Sequence, residues 1–199
     1  MRLVLGPIPR SRVLSPGDEG WTPLREPTSR VFVMQVLLLS LPFLLPAFAI
    51  LPELRGCLRT RPLAISAYVS FLALMIPVHE AIHASVYPGG LGSEHLVMGA
   101  WMRRGLCYVV YDSPVSRNRV LVMLSAPFIA LSSLLVLVAL SAPSEWRLVG
   151  ILALLIHTAV CAGDFVTFAR LVRQVPASSL VHNDGWVTYW KAPPQPMDS

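Results

Sequence analysis

The chain has 199 residues, of which 54% are hydrophobic and only 14% are charged, and its mean hydropathy is +0.61. Soluble domains are about 45–50% apolar and about 25% charged, so this composition argues against an ordinary soluble domain and favours a membrane protein. The net charge of +5 comes mainly from Arg side chains scattered between apolar runs. That distribution is typical of membrane topology signals and argues against a nucleic-acid partner. The three cysteines contain no Cys-x-x-Cys pair and are too few for a disulfide framework.

Residues 1–30 form a polar segment that is rich in proline. Because proline lacks a backbone N–H and interrupts a helix, this segment cannot be one continuous helix. We expect it to be an extended or disordered N-terminal segment in the cytoplasm.

Four apolar runs follow, and each is long enough to cross a bilayer core, which takes about 20 helical residues. They are residues 31–51, 63–83, 120–142 and 146–168. We therefore predict a polytopic transmembrane domain over residues 31–170, followed by a cytoplasmic tail over residues 171–199.

The loop between the second and third runs has a pattern of its own. Two short apolar runs, residues 96–102 and 106–111, flank Arg103, Arg104 and Gly105, which predicts a β-hairpin. The predicted fold class is an all-α membrane protein with about four transmembrane helices. A small cytoplasmic or interfacial β-hairpin lies between helices two and three.

The basic residues predict the orientation of these helices. Twelve Lys and Arg side chains lie in the N-terminal segment, the long central loop and the tail, against four in the other two loops. Since cytoplasmic loops carry the excess of basic residues, we expect a multi-pass protein of the cell membrane with both termini in the cytoplasm. The lipid bilayer is then an obligatory partner.

The second apolar run ends in the sequence HEAIH, residues 79–83. Residues four apart share one face of a helix, so His79 and His83 can bind one zinc ion, and Glu80 can act as general base on zinc-bound water. The plain alternative is a pair of core histidines beside a coincidental glutamate. Burying three ionisable groups near lipid is costly, and this favours the metal site.

A catalytic zinc usually has three protein ligands, so a third is expected. Asp164 is the only acidic residue well inside the fourth run. On straight helices, His79 and His83 lie about 24 and 30 Å along span two, and Asp164 lies about 27 Å along span four. The three residues thus share one level, near the cytoplasmic face.

The other polar residues that could belong to the site have simpler explanations. On the same straight helix, His157 would lie about 10 Å from Asp164, so it is interpreted as a packed or hydrogen-bonded histidine, with a ligand or proton-relay role as the alternative. His95 and His182 are interpreted as surface residues. Asn118 and Arg119 are weak candidates for oxyanion stabilisation and are more simply polar residues at the end of a loop.

Four segments together, PVHEAIH, LSAPFIALSSLL, AGDFVTFARL and NDGWVTYW, resemble the bacterial membrane family of putative zincin peptidases. That family is similar in turn to the site-2 proteases. The resemblance implies that His79 and His83 are zinc ligands, that Glu80 is the catalytic glutamate, and that Asp164 is the distal acidic ligand. Site-2 proteases typically carry that aspartate before a glycine, whereas here it follows Gly163 and precedes Phe165. The resemblance also implies that the hairpin lies beside the active site and pairs with an unwound substrate segment.

The sequence therefore predicts an intramembrane zinc metalloprotease that cleaves membrane-associated protein or peptide substrates near the cytoplasmic face. The alternative is a zinc-binding membrane pseudoprotease or partner-binding subunit without proteolysis. A metal carrier fits less well, because the polar groups are too few to line a path across the membrane. An accessory membrane partner or a second copy of the chain is compatible with either reading.

Overall fold

The structure is a computed structural model that describes residues 1–13, 20–58 and 62–192. The chain divides into two compact units. The first comprises Met1–Glu26, Glu80–Leu124 and Thr167–Ser199, and the second comprises Pro27–His79 and Ser125–Val166. Three of the four boundaries fall inside α-helices, and one of these lies between His79 and Glu80.

The described part of the chain contains five α-helices. They are α1 (Ser29–Leu58), α2 (Pro62–Val86), α3 (Arg117–Ser141), α4 (Ser144–Val160) and α5 (Ala162–Gln174). Within α1, α2 and α3 there are stretches long and apolar enough to cross a membrane, and α4 with α5 makes a fourth if that bent pair counts as one span. The mostly helical fold is confirmed, and the predicted total of four spans depends on the bent pair.

The predicted fourth run is therefore two helices, which meet at Cys161 with a bend of 41°. Gly163 lies two residues beyond the junction, and glycine is the least favourable residue inside a helix after proline. The bend gives α5 an N-terminus of its own, with Asp164 in its first turn. A carboxylate is favourable there because the N-terminal end of a helix carries partial positive charge.

The second unit is a helical bundle with a small apolar core. Its buried side chains include Ala47 with Leu152, and Met75 with Leu135 and Ala153. Many large aliphatic side chains of these helices are exposed, among them Leu37, Leu45, Leu137 and Leu140. Such outward-facing apolar surfaces are expected where helices contact lipid instead of water.

The first unit is built on two small sheets. Their strands are β1 (Arg2–Leu5), β2 (Thr22–Pro23), β3 (Leu96–Trp101), β4 (Leu106–Tyr111), β5 (Val115–Ser116), β6 (Leu180–Asp184) and β7 (Val187–Lys191). One sheet has the order β1-β3-β4 and the other the order β2-β7-β6-β5. A shared core of apolar residues, including Ala84, Leu96, Tyr111 and Leu171, fixes both sheets to the helix ends of this unit.

The hairpin between the second and third helices is formed by β3 and β4, which pair in antiparallel fashion. A short 3-10 turn at Met102–Arg104 connects them. Gly105 follows with φ +57°, a left-handed conformation that glycine adopts without steric cost. A further strand, β1, pairs with β3 in parallel, so the N-terminal segment supplies an edge of this sheet.

A second hairpin turns at Asn183, Asp184 and Gly185. β6 ends at Asp184, Gly185 has φ +59°, and β7 begins at Val187. This second hairpin pairs through β6 with β5, the short strand that leads into α3. The residues after the last helix thus belong to the same sheet as the end of the central loop.

Candidate metal centre

His79 and Asp164 meet within the second unit. The Nε2 atom of His79 lies 3.3 Å from the Oδ2 atom of Asp164. His79 is buried and Asp164 is largely shielded, with side chains 8% and 19% exposed. An imidazole and a carboxylate at this separation and depth offer two donor atoms that face each other, as a shared metal ion requires.

His83 lies one turn beyond His79 on α2, and residues at this spacing share one face of a helix. His83 is buried, and its Nδ1 atom is 2.8 Å from the backbone carbonyl oxygen of Met123. Because a carbonyl oxygen can only accept, Nδ1 carries the proton and donates it. The Nε2 atom of neutral His83 then keeps its lone pair, which is the tautomer that binds a metal.

Glu80 belongs to the first unit and is only partly buried. Its negative charge affects Cys107, a free thiol on β4. Burial raises the pKa of Cys107, and the negative charge of Glu80 raises that pKa further. The carboxylate of Glu80 therefore acts electrostatically on strand β4.

His157 lies beside His79, where the straight-helix argument did not expect it. Their ring centroids are 5.7 Å apart. His157 is almost completely buried, with Nδ1 3.1 Å from Ser132 Oγ and Nε2 3.6 Å from Cys161 Sγ. It is hydrogen-bonded, and it also belongs to a second group of donors. The donor atoms of His79, His157 and Cys161 lie within 4.8 Å of one another.

The sequence contained a signal for this second group. His157 and Cys161 are four residues apart, which is the spacing that singles out His79 and His83. The signal was missed because a lone cysteine in an apolar run is most simply a small core residue.

His182 is not the surface residue that was expected. It is 2% exposed, and its Nε2 atom lies 2.8 Å from Ser11 Oγ. His95 has a side chain that is 43% exposed, as expected. Arg119 donates from Nη1 to the carbonyl oxygen of Val86, 3.2 Å away at the end of α2, where a cation is favourable. Asn118 accepts a hydrogen bond from Arg117.

Ser11 contacts both His182 and Asp112, but the three residues do not form a nucleophilic triad. Ser11 Oγ lies 2.8 Å from Asp112 Oδ1 as well as 2.8 Å from His182 Nε2. In a catalytic triad the acid binds the histidine, whereas here it binds the serine. Within the described residues, His182 Nδ1 has no hydrogen-bond partner. Because a carboxylate can only accept, the Ser11 hydroxyl donates its hydrogen bond to Asp112. The cluster links the N-terminal segment to β6.

The fold and the buried donors are those of a helical protein with a candidate metal site. The family described as "Putative zincin peptidase" matches residues 72–180, more than half of the chain, and the chain belongs to that family. The matched range contains every residue of the two donor groups, together with Glu80. No match was found among curated proteins or among solved structures.

The effect of Glu80 on Cys107 predicts a measurable change in thiol reactivity. Since thiolate is the reactive form, a raised pKa slows alkylation at neutral pH. In chelator-treated protein, Glu80→Gln should shift the midpoint of the rate-versus-pH curve for Cys107 alkylation downward, as followed by peptide mass spectrometry. Glu94→Gln removes an exposed carboxylate and should leave that midpoint in place. An unshifted midpoint in Glu80→Gln would contradict the interaction.

Proposed function

We propose that the protein is an intramembrane zinc endopeptidase with Glu80 as its general base and His79, His83 and Asp164 as its metal ligands. The observation that carries the proposal is the buried contact between His79 and Asp164, 3.3 Å apart, next to an HExxH sequence. Membership of a family described as peptidases supports a metallopeptidase role. The intramembrane setting and the ligand roles are our inference.

The donor atoms fit zinc. Two imidazole nitrogens and one carboxylate oxygen are common ligands of catalytic zinc, and such sites leave a further coordination position open. The hydrogen bond from His83 Nδ1 to Met123 supports a neutral imidazole with a free Nε2 lone pair. When bound, zinc polarises a carbonyl group and lowers the pKa of water toward about 7.

Glu80 follows His79 directly on α2 and is partly accessible, as a group that exchanges protons with a substrate must be. It takes a proton from the attacking water and later delivers that proton to the nitrogen of the leaving amine. His79, His83 and Asp164 hold the metal and take no part in this proton transfer. Glu80 is therefore the residue whose loss should separate metal binding from cleavage.

The substrate class follows from the setting of the motif. HEAIH lies in the last two turns of α2, which is long and apolar enough to cross a membrane. With both termini in the cytoplasm, that end of α2 faces the cytoplasm. The substrates are then membrane-associated proteins or peptides, cleaved near the cytoplasmic face.

Strand β4 is the element best suited to hold such a substrate. A transmembrane helix hides its peptide bonds in internal hydrogen bonds, so cleavage requires local unwinding, and a strand edge can pair with the extended segment. In its sheet, β3 is flanked by β1 and β4, whereas β4 is an edge strand among the described strands. We infer that the substrate pairs with this edge, within the electrostatic reach of Glu80.

The central prediction concerns Glu80→Gln. It should keep the metal content of the wild type and lower cleavage about 100-fold or more, the usual contribution of a general base. Purified protein would be incubated with detergent-solubilised membrane proteins, and new N-termini would be identified by mass spectrometry. Glu94→Gln, a matched change at an exposed carboxylate, should cleave normally. Equal sets of new N-termini from Glu80→Gln would refute the role. Full metal content without cleavage in the wild type would favour the non-proteolytic alternative.

Proline substitutions test the edge of β4. Successive N–H groups along a strand point to opposite edges, so Val109→Pro and Val110→Pro remove one donor directed at β3 and one directed outward. The inward change should destabilise the hairpin, while the outward change should leave the protein folded and lower cleavage at least several-fold. Cleavage at the wild-type rate by the variant that stays folded would rule out pairing at this edge.

A further inference from the structure

We propose that His79, His157 and Cys161 form a second metal-binding set, which takes a soft divalent ion such as cadmium. Their donor atoms lie within 4.8 Å of one another, and all three residues belong to the second unit. They are also deeply buried, at 6%, 1% and 0% exposure. This set is distinct from the one that uses Asp164, although both include His79.

The hydrogen bonds of His157 orient it for this role. Ser132 Oγ lies 3.1 Å from Nδ1, which leaves Nε2 directed at Cys161, 3.6 Å from Sγ. A second-sphere bond of this kind fixes the orientation of a metal-binding histidine ring. The four-residue spacing between His157 and Cys161 presents both donors on one side of the chain.

A simple pair of core residues explains less of this arrangement. A buried cysteine is commonly just a small apolar side chain, and a histidine next to it can share a weak hydrogen bond. That reading accounts for His157 and Cys161, but it gives no reason for the ring of His79 to lie 5.7 Å from His157. Three donors converge here from α2, from α4 and from the junction that follows α4, which is the arrangement that an ion requires.

The chemistry of the donors separates the two sets. A thiolate is a soft ligand and favours soft ions such as cadmium or cuprous copper, whereas a carboxylate is a hard ligand. Binding converts the Cys161 thiol to a thiolate and releases its proton. The sulfur set should therefore gain relative to the Asp164 set as the ion becomes softer.

Because the two sets share His79, an ion in one alters the other. If the proposed peptidase function holds, an ion held by Cys161 withdraws His79 from the catalytic set, and soft metals inhibit cleavage. The sulfur site itself does not depend on that function, since it rests only on the three donors.

Cobalt substitution distinguishes the two sets by spectroscopy. Cobalt bound to a thiolate gives an intense near-ultraviolet charge-transfer band, while nitrogen and oxygen ligands give only weaker visible bands. The reduced, full-length protein in detergent would be titrated with cobalt as wild type and as Cys161→Ser, His157→Ala, Asp164→Ala and His79→Ala. Cys107→Ser is the matched control, because Cys107 is a free thiol outside both donor groups.

Asp164→Ala, which leaves only the sulfur set intact, should show the charge-transfer band, and Cys107→Ser should have the same spectrum as the wild type. Cys161→Ser and His157→Ala should lose that band while keeping visible bands from cobalt in the other set, which also shows that they remain folded. His79→Ala should lose both. Visible bands without charge transfer in cobalt-saturated Asp164→Ala, or a band that survives in Cys161→Ser, would overturn the second set alone. A folded wild type that binds no cobalt would contradict both sets.

Discussion

The cost of burying ionisable side chains among apolar helices is the constraint on which the interpretation of this protein depends. An isolated charge in a low-dielectric environment loses several kcal/mol of hydration, so such groups are paired, neutral or bound to a metal. His79 and Asp164 meet this constraint by facing each other at 3.3 Å. His83 meets it by donating to the carbonyl oxygen of Met123. An ion between such donors would compensate their burial more fully than these contacts do.

The bend between α4 and α5 determines which side chains share the surroundings of His79. A straight helix would keep residues 157 and 164 about 10 Å apart along its axis. The break at Cys161 instead accompanies an arrangement in which both His157 and Asp164 approach His79. The bend at Cys161 thus accompanies the placement of both a carboxylate and a cysteine side chain near His79. Broken helices are common at functional sites inside membranes, where the freed backbone can be satisfied by neighbouring groups.

Much of the fold could be predicted from the sequence. The helices could be predicted from the long apolar runs, because the outward-facing side chains of these helices are apolar as well as the buried ones. The hairpin follows from two short runs around Gly105, and the second turn follows from Asn183 to Gly185, since both turns need the left-handed conformation that glycine allows. The contact between His79 and Asp164 was also expected, because Asp164 is the only acidic residue well inside the fourth run and lies at the depth of the histidines.

Other features had no local signal. The parallel pairing of β1 with β3 joins the two ends of a long stretch of chain, and sequence periodicity carries no information on such partners. His182 is buried through Ser11 and the sheets of the first unit, which its polar neighbours in sequence did not reveal. The approach of His157 to His79 depends on the bend, and Gly163 alone did not predict where the helix would break.

The most direct test of this account is the metal content of the purified protein, because His79 belongs to both donor sets. Wild type, His79→Ala and the matched control His95→Ala, which changes a partly exposed histidine outside both donor sets, would be supplied with zinc at neutral pH, desalted and measured by elemental mass spectrometry. The account predicts one zinc ion per chain in the wild type and in His95→Ala, and none in His79→Ala. A folded wild type without zinc, or a His79→Ala variant that retains it in full, would contradict the metal centre.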